Sequence, residues 1–198
     1  MSAIVPSRES INQAVLNYLV VEGFKDAALK FQQESGTTTT QFDTELIDKR
    51  VMIRQRLEAG DVESAIATIR EADESMLERD AELSFALYKQ QLVELVRRGD
   101  TRQAVQFAQR TLGDLSDPRQ QQQVDAVMAL LMYADDLTKA PMGALAAQQA
   151  RDKLATLANQ RLLQAHGYPA DLQLEFYWRL ANYADSLLGG ATPKVSDV

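Results

Sequence analysis

The stretch "NYLVVEGFKDAALKFQQESG", residues 17–36, sets a glycine between two apolar runs and follows it with an aromatic residue and a pair of alanines. A helix that reaches Glu22 breaks at Gly23 and restarts at once, because apolar residues resume at helical spacing on the far side. The same shape returns as "LEAGDVESAIATI" at residues 57–69 and as "VRRGDTRQAVQFA" at residues 96–108. In every copy an alanine follows five residues on: Gly23 with Ala28, Gly60 with Ala65, Gly99 with Ala104. Glycine supplies a backbone conformation that a side chain resists, and alanine lets helices approach closely. The breaks recur about every forty residues, a period seen in stacked helical-pair repeats. The alternative is that helix, glycine and capping residue are simply how a helical bundle turns.

Elsewhere the apolar residues also recur at helical spacing and scarcely alternate as strands do, so the sequence predicts an all-α fold of helical hairpins, about nine helices in all. Ser10, with Gln13 at its third position, is the expected cap of a first helix ending at Glu22. A second helix is predicted from Phe24 to Ser35, stopped by Gly36, and "TTTTQ" is read as a linker. Asp43 and Asp61 are placed to cap a third helix ending at Gly60 and a fourth running toward Ala72. A long fifth helix is expected from Asp80 to Gly99, and a sixth from Asp100, boxed with Gln103, to Gly113. Asp117 and Pro118 open a seventh helix carrying "VDAVMALLMYA"; "DDLTKAPMG" is read as a loop. A long helix from Ala146 to His166, stopped by Gly167, and a last one after Pro169 with "LQLEFYWRLANYADSLL" complete the expected set, before a polar tail.

Composition narrows the function classes. The 198 residues are 45% hydrophobic and 25% charged, values ordinary for a folded globular chain long enough to bury a core. A net charge of −7 and a pI near 4.8 speak against nucleic-acid binding, since Lys and Arg are interleaved with Asp and Glu and form no basic stripe. There is no cysteine, which removes disulfides, thiol nucleophiles and every thiolate zinc site. No run reaches the ~18 apolar residues that suggest a membrane span, and "MSAIVPSRES" has no export pattern, so a cytoplasmic and nuclear location is expected and no membrane partner.

Few residues of the chain are suited to catalysis or metal binding. His166 is the one histidine and sits beside "GYP" at a helix end, a capping position before a catalytic one. Asp135 and Asp136 stand without nearby ligands for a divalent ion. No phosphate-binding glycine motif occurs. Phe176, Tyr177 and Trp178 are neighbours in sequence and therefore point in different directions on a helix, which disfavours an aromatic cage. The residues predict no enzyme, no cofactor and no metal.

From Ala14 to Val21 only Asn17 is polar, so the first helix is apolar all the way round and needs covering on more than one side. Self-association would supply that cover; so would C-terminal helices folding back. The segment "INQAVLNYLVVEGFKDAALKFQQES" also resembles the LisH motif at Ile11, Asn12, Val15, Tyr18, Leu19, Gly23, Phe24, Phe31 and Glu34, with Phe24 in place of the more usual tyrosine. The stretch from "FDTELIDKRVMIRQRLEAGDVESAIATI" through "YKQQLVELVRRGDTRQAVQFAQRTL" resembles the CTLH segment, and "ALLMYADDLTKAP" with the helix after it resembles the CRA segment. The likeness to LisH-CTLH-CRA proteins divides the chain into LisH at 7–36, CTLH at 42–112, CRA at 117–188 and a tail at 189–198. It implies a non-catalytic scaffold subunit of the glucose-induced-degradation (CTLH) type of E3 ubiquitin ligase. Such a subunit would join RING-bearing catalytic subunits to a substrate-receptor arm. It would form a homo- or hetero-dimer through LisH, with Val15, Leu16, Tyr18, Leu19, Val20, Phe24 and Phe31 as the contact residues. A free-standing LisH dimerising adaptor is the competing expectation.

Overall fold

The structure, a computed structural model, describes residues 7–37, 42–113, 115–133, 140, 143–168 and 178. It is all-α. Among the described residues lie nine α-helices and no strand: α1 Arg8–Glu22, α2 Lys25–Ser35, α3 Thr44–Ala59, α4 Val62–Ala72, α5 Met76–Arg79, α6 Ala81–Arg97, α7 Thr101–Leu112, α8 Pro118–Ala129 and α9 Gln148–Ala165. Two 3-10 turns among the described residues, Leu130–Tyr133 and Gly143–Ala146, lie between α8 and α9.

The glycine breaks behave as their sequence predicts. Gly23, Gly60 and Gly99 have φ of 85°, 81° and 74°, the left-handed region that glycine enters without strain. Each N–H returns to the carbonyl three residues back (Val20, Leu57, Val96), and the next N–H reaches five back (Leu19, Arg56, Leu95), which is a Schellman stop. The residue after the glycine is at once the end of that stop and the N-cap of the following helix. Its carbonyl accepts the first helical hydrogen bond from Ala28, Ala65 or Ala104. The alanine therefore occupies the fourth position of the new helix, and all three alanines are fully buried. A larger side chain there would push the paired helices apart.

Four expectations change. The first helix starts a turn early: Ser7, not Ser10, is its N-cap, and the Ser7 hydroxyl accepts the Ser10 N–H at 3.1 Å. Arg8, Glu9 and Ser10 tolerate helix, and Glu9 complements the helix N-terminus. The short α5 has no counterpart in the sequence reading; Met76 and Leu77 are buried there, and a single turn leaves too few residues for a periodic pattern. The seventh helix ends at Ala129 and tightens to 3-10 over Leu130–Tyr133. The penultimate predicted helix starts at Gln148, preceded by a 3-10 turn over Gly143–Ala146. The "TTTTQ" linker, Asp135 and Asp136, and the last predicted helix apart from Trp178 lie outside the described residues.

The chain divides into two compact units, Met1–Ile47 with Gly167–Val198, and Asp48–His166. In the first, α1 packs on α2 across the Gly23 turn. The Tyr168 hydroxyl accepts the Asp43 N–H at 3.0 Å, while the Asp43 carboxylate caps α3 through the N–H groups of Glu45 and Leu46. In the second unit α6 is the spine. Its Leu83 and Leu87 join Ile53, Leu57, Ile66, Ile69 and Leu162 in one apolar core, and its Leu92, Val93 and Val96 join Ala104, Leu112, Val127 and Leu130 in another. Because α6 packs against α4, α5, α7, α8 and α9, this unit is a bundle around a central helix, and the breaks at Gly60 and Gly99 are turn devices within it.

Candidate functional site

The first break differs from the other two at one side chain. Asp61 accepts the Ser64 N–H at 3.2 Å and Asp100 accepts the Gln103 N–H at 3.1 Å, so both cap their helices. Hydrogen bonding from Ser64 also holds the Asp61 carboxyl below its ordinary range. Phe24 fills the same N-cap position of α2, where its side chain makes no capping hydrogen bond. An Asp, Asn or Ser there would stabilise α2 by about 1 kcal/mol. Instead a large aromatic ring stands 51% exposed, tilted at 45° to Tyr18 with the ring centroids 6.3 Å apart. Ile11, on α1, is 47% exposed.

The other expected contact residues are spread over two environments. Val15, Tyr18, Leu19 and Phe31 are half-buried. Leu16 and Val20, expected on the outward part of the helix, are instead covered within the chain, at 0% and 3% exposure. They lie four residues apart on one face, and with Ala14 and Val21 they make a broad covered stripe. An all-round apolar helix carries no periodic sign of which face turns outward, so sequence could not choose between Leu16 and Ile11. Asn17, the polar interruption, has a buried Oδ1 that meets no hydrogen-bond donor.

In the second unit the charged groups are built into the bundle. The Arg151 guanidinium of α9 grips the Glu94 carboxylate of α6 with two hydrogen bonds, Nε to Oε1 at 2.8 Å and Nη2 to Oε2 at 2.5 Å. Gln90 adds a third to Oε1 at 2.7 Å. Burial would raise the Glu94 pKa, yet the bonds from Arg151 and Gln90 and the charges of Arg151 and Arg97 outweigh it and hold it below the usual carboxylate value. At the other end of α6, Arg161 pairs with Asp80 at 3.3 Å and Glu82 at 2.6 Å, so α9 runs antiparallel to α6 and is tied at both ends. Sequence reasoning missed these pairs, because residues so far apart in the chain leave no local signal of contact.

No group of three or more His, Asp or Glu side chains among the described residues is arranged to hold a metal, and no described helix is long and apolar enough to cross a membrane. His166 is an exposed residue at the C-terminal end of α9, where its N–H bonds back to Leu162.

Residues 9–35 match the LisH family, and residues 46–184 match the CTLH/CRA C-terminal to LisH motif domain. The chain is 32% identical to the glucose-induced degradation protein 8 homolog of Dictyostelium discoideum over 96% of its own length and 85% of that protein's. It is 31% identical to the Protein GID8 homolog of Arabidopsis thaliana over 100% of its length and 82% of that protein's. It is 26% identical to GID complex subunit 8 of Schizosaccharomyces pombe over 83% of its length and 72% of that protein's. The LisH match spans the α1–α2 hairpin with its uncapped, exposed Phe24, and the CTLH/CRA match takes in α4 to α9. This chain therefore belongs to the LisH–CTLH/CRA family and, within it, is like the glucose-induced degradation protein 8 homologues.

Proposed function

We propose that this chain is a non-catalytic scaffold subunit of a multi-subunit E3 ubiquitin ligase of the glucose-induced-degradation type. In that role it joins RING-bearing subunits to a substrate-receptor arm. The observation that carries the reading is its likeness, along most of both chains, to a protein named as a subunit of the GID complex. The absence of cysteine supports the division of labour, because a RING holds its zinc with thiolates and this chain has none to offer. The N-terminal hairpin is the contact for a LisH partner, another copy or a paralogue. Ile11 and Phe24, with the open parts of Tyr18 and Phe31, are its apolar groups. Burying a large aliphatic or aromatic side chain contributes roughly 1.5–3 kcal/mol, so a few from each partner offset the entropy lost on association. The CTLH and CRA helices serve other subunits.

Affinity purification of the tagged chain from its native cell tests this. RING-containing LisH proteins should co-elute in fixed proportion, and Ile11→Asp with Phe24→Asp should release those held by the hairpin. A chain that recovers LisH partners but never a RING protein is a free-standing dimerising adaptor, and the ligase reading fails.

A further inference from the structure

Between α6 and α9, in the Asp48–His166 unit, lies an apolar slot of about 240 Å³; Gln90, which donates to Glu94, lines it, while Glu94, Arg151 and Arg161 themselves do not. On α6, Lys89 and Val93 are four residues apart; on α9, Lys153 and Leu157 are too. Each lysine stem thus runs beside an aliphatic neighbour on the face that lines the slot. Leu154, Val127 from α8 and Leu145 from the 3-10 turn add to its apolar wall. The volume falls below the ~300–1,000 Å³ of small-molecule and cofactor pockets, and it has room for one or two side chains.

Charge decides what suits it. Lys89 is half-buried, its ammonium donating to the Gln123 amide oxygen at 2.7 Å and lying 5.6 Å from the Phe85 ring centre. Among the described residues neither Lys89 nor Lys153 forms an ion pair. The contrast within the same unit is plain, since Arg151 and Arg161 both meet carboxylates. Burial, unopposed by any neighbouring charge, lowers the Lys89 pKa. A partly desolvated cation without a counter-charge is unfavourable, and an incoming carboxylate relieves it.

We propose that this slot is a docking site for an acidic-apolar segment of a partner protein: one Leu, Phe or Met side chain enters between α6 and α9, and flanking Asp or Glu carboxylates meet Lys89 and Lys153. On a molecule of net charge −7 an acidic segment is repelled over most of the surface, which makes half-buried Lys89 and exposed Lys153, neither of them ion-paired, selective around an apolar opening. Such docking needs neither the N-terminal hairpin nor membership of a ligase.

The test uses the full chain and fluorescein-labelled 12-residue peptides in which a single Leu, Phe or Met is flanked by glutamates, with lysine-flanked counterparts, read by fluorescence anisotropy. At least one glutamate-flanked peptide should bind, more weakly as salt rises. Lys89→Glu with Lys153→Glu should weaken it at least about tenfold and transfer preference to the lysine-flanked peptide. Thermal melting checks the fold; should the double reversal unfold, Lys89→Gln with Lys153→Gln must still weaken binding. No binding by any glutamate-flanked peptide overturns the proposal, as does binding indifferent to either pair of substitutions. Two other results overturn it by naming another occupant: saturation by dodecanoate alone, or a molar mass that falls when the lysines are reversed, which would mean a second copy fills the slot.

Discussion

Gly60 and Gly99 share a left-handed φ but not a neighbourhood. A Cβ on Gly99 would meet nothing within 4 Å, whereas one on Gly60 would lie 2.7 Å from Arg151 Cζ and 2.9 Å from Glu94 Oε2, inside the buried ion pair. Gly99→Ala should therefore lose only the backbone preference, about 1 kcal/mol. Gly60→Ala should lose that and also crowd the Arg151–Glu94 pair, whose side-chain ends must shift to make room, so its loss should be the larger of the two. Urea unfolding of both variants checks the ranking, and equal losses would contradict it. The pair also sets a pH dependence. Because the folded Glu94 pKa lies below its unfolded value, its contribution is complete above the unfolded pKa and is lost as pH falls through the folded one. Arg151→Met removes the strongest of the groups that depress it and leaves only Gln90 and Arg97 against burial, which raises it, so acid unfolding of that variant should begin at higher pH than in the parent. An unchanged acid midpoint, followed by circular dichroism, would count against the pair. Sequence announces Gly60 as a turn glycine through its flanking residues; that it is also the floor beneath Arg151 depends on α9 and has no local sign.

The elements most legible in sequence are those fixed within four or five residues of chain. Asp43, Asp61, Asp100 and Asp117 all cap the helices that their positions predict, because a capping hydrogen bond spans two or three residues. The exception, Ser7 for Ser10, arises where two serines stand one turn apart and both positions are chemically able to cap. What packing alone decides is not legible: α5 is one turn long, and the inward turn of Leu16 and Val20 is chosen by whatever covers α1. The hairpin break offers a test at this scale. Phe24→Asp gives α2 the cap that Asp61 and Asp100 give α4 and α7, so it should raise the thermal midpoint of the monomeric chain, by about 1 kcal/mol in stability. The same change should weaken LisH association by removing an exposed aromatic contact. If melting falls instead, the ring is part of the hairpin's own packing; light scattering and calorimetry on one sample separate the two effects. Leu16→Asp, by contrast, should unfold the hairpin, since it buries an unpaired carboxylate.

At the scale of the whole molecule, the α-helical class is readable throughout because periodicity, capping and scarce proline agree with one another. The division into two compact units does not follow the LisH, CTLH and CRA segments one by one, since the first unit draws on both ends of the chain. Contacts between distant segments carry no mark in a single sequence, and neither does the α6–α9 slot. A scaffold at this scale has a signature that a catalytic subunit or an adaptor outside the ligase lacks. The most direct measurement is the composition, native mass and ubiquitin-transfer activity of the RING-bearing assembly purified from cells with and without this chain. Without it, the RING subunits should still discharge ubiquitin to themselves, while the assembly loses its substrate-receptor arm, falls in mass and no longer modifies its substrates. An assembly unchanged in composition and mass, or RING subunits that lose self-modification as well, would contradict a non-catalytic scaffold.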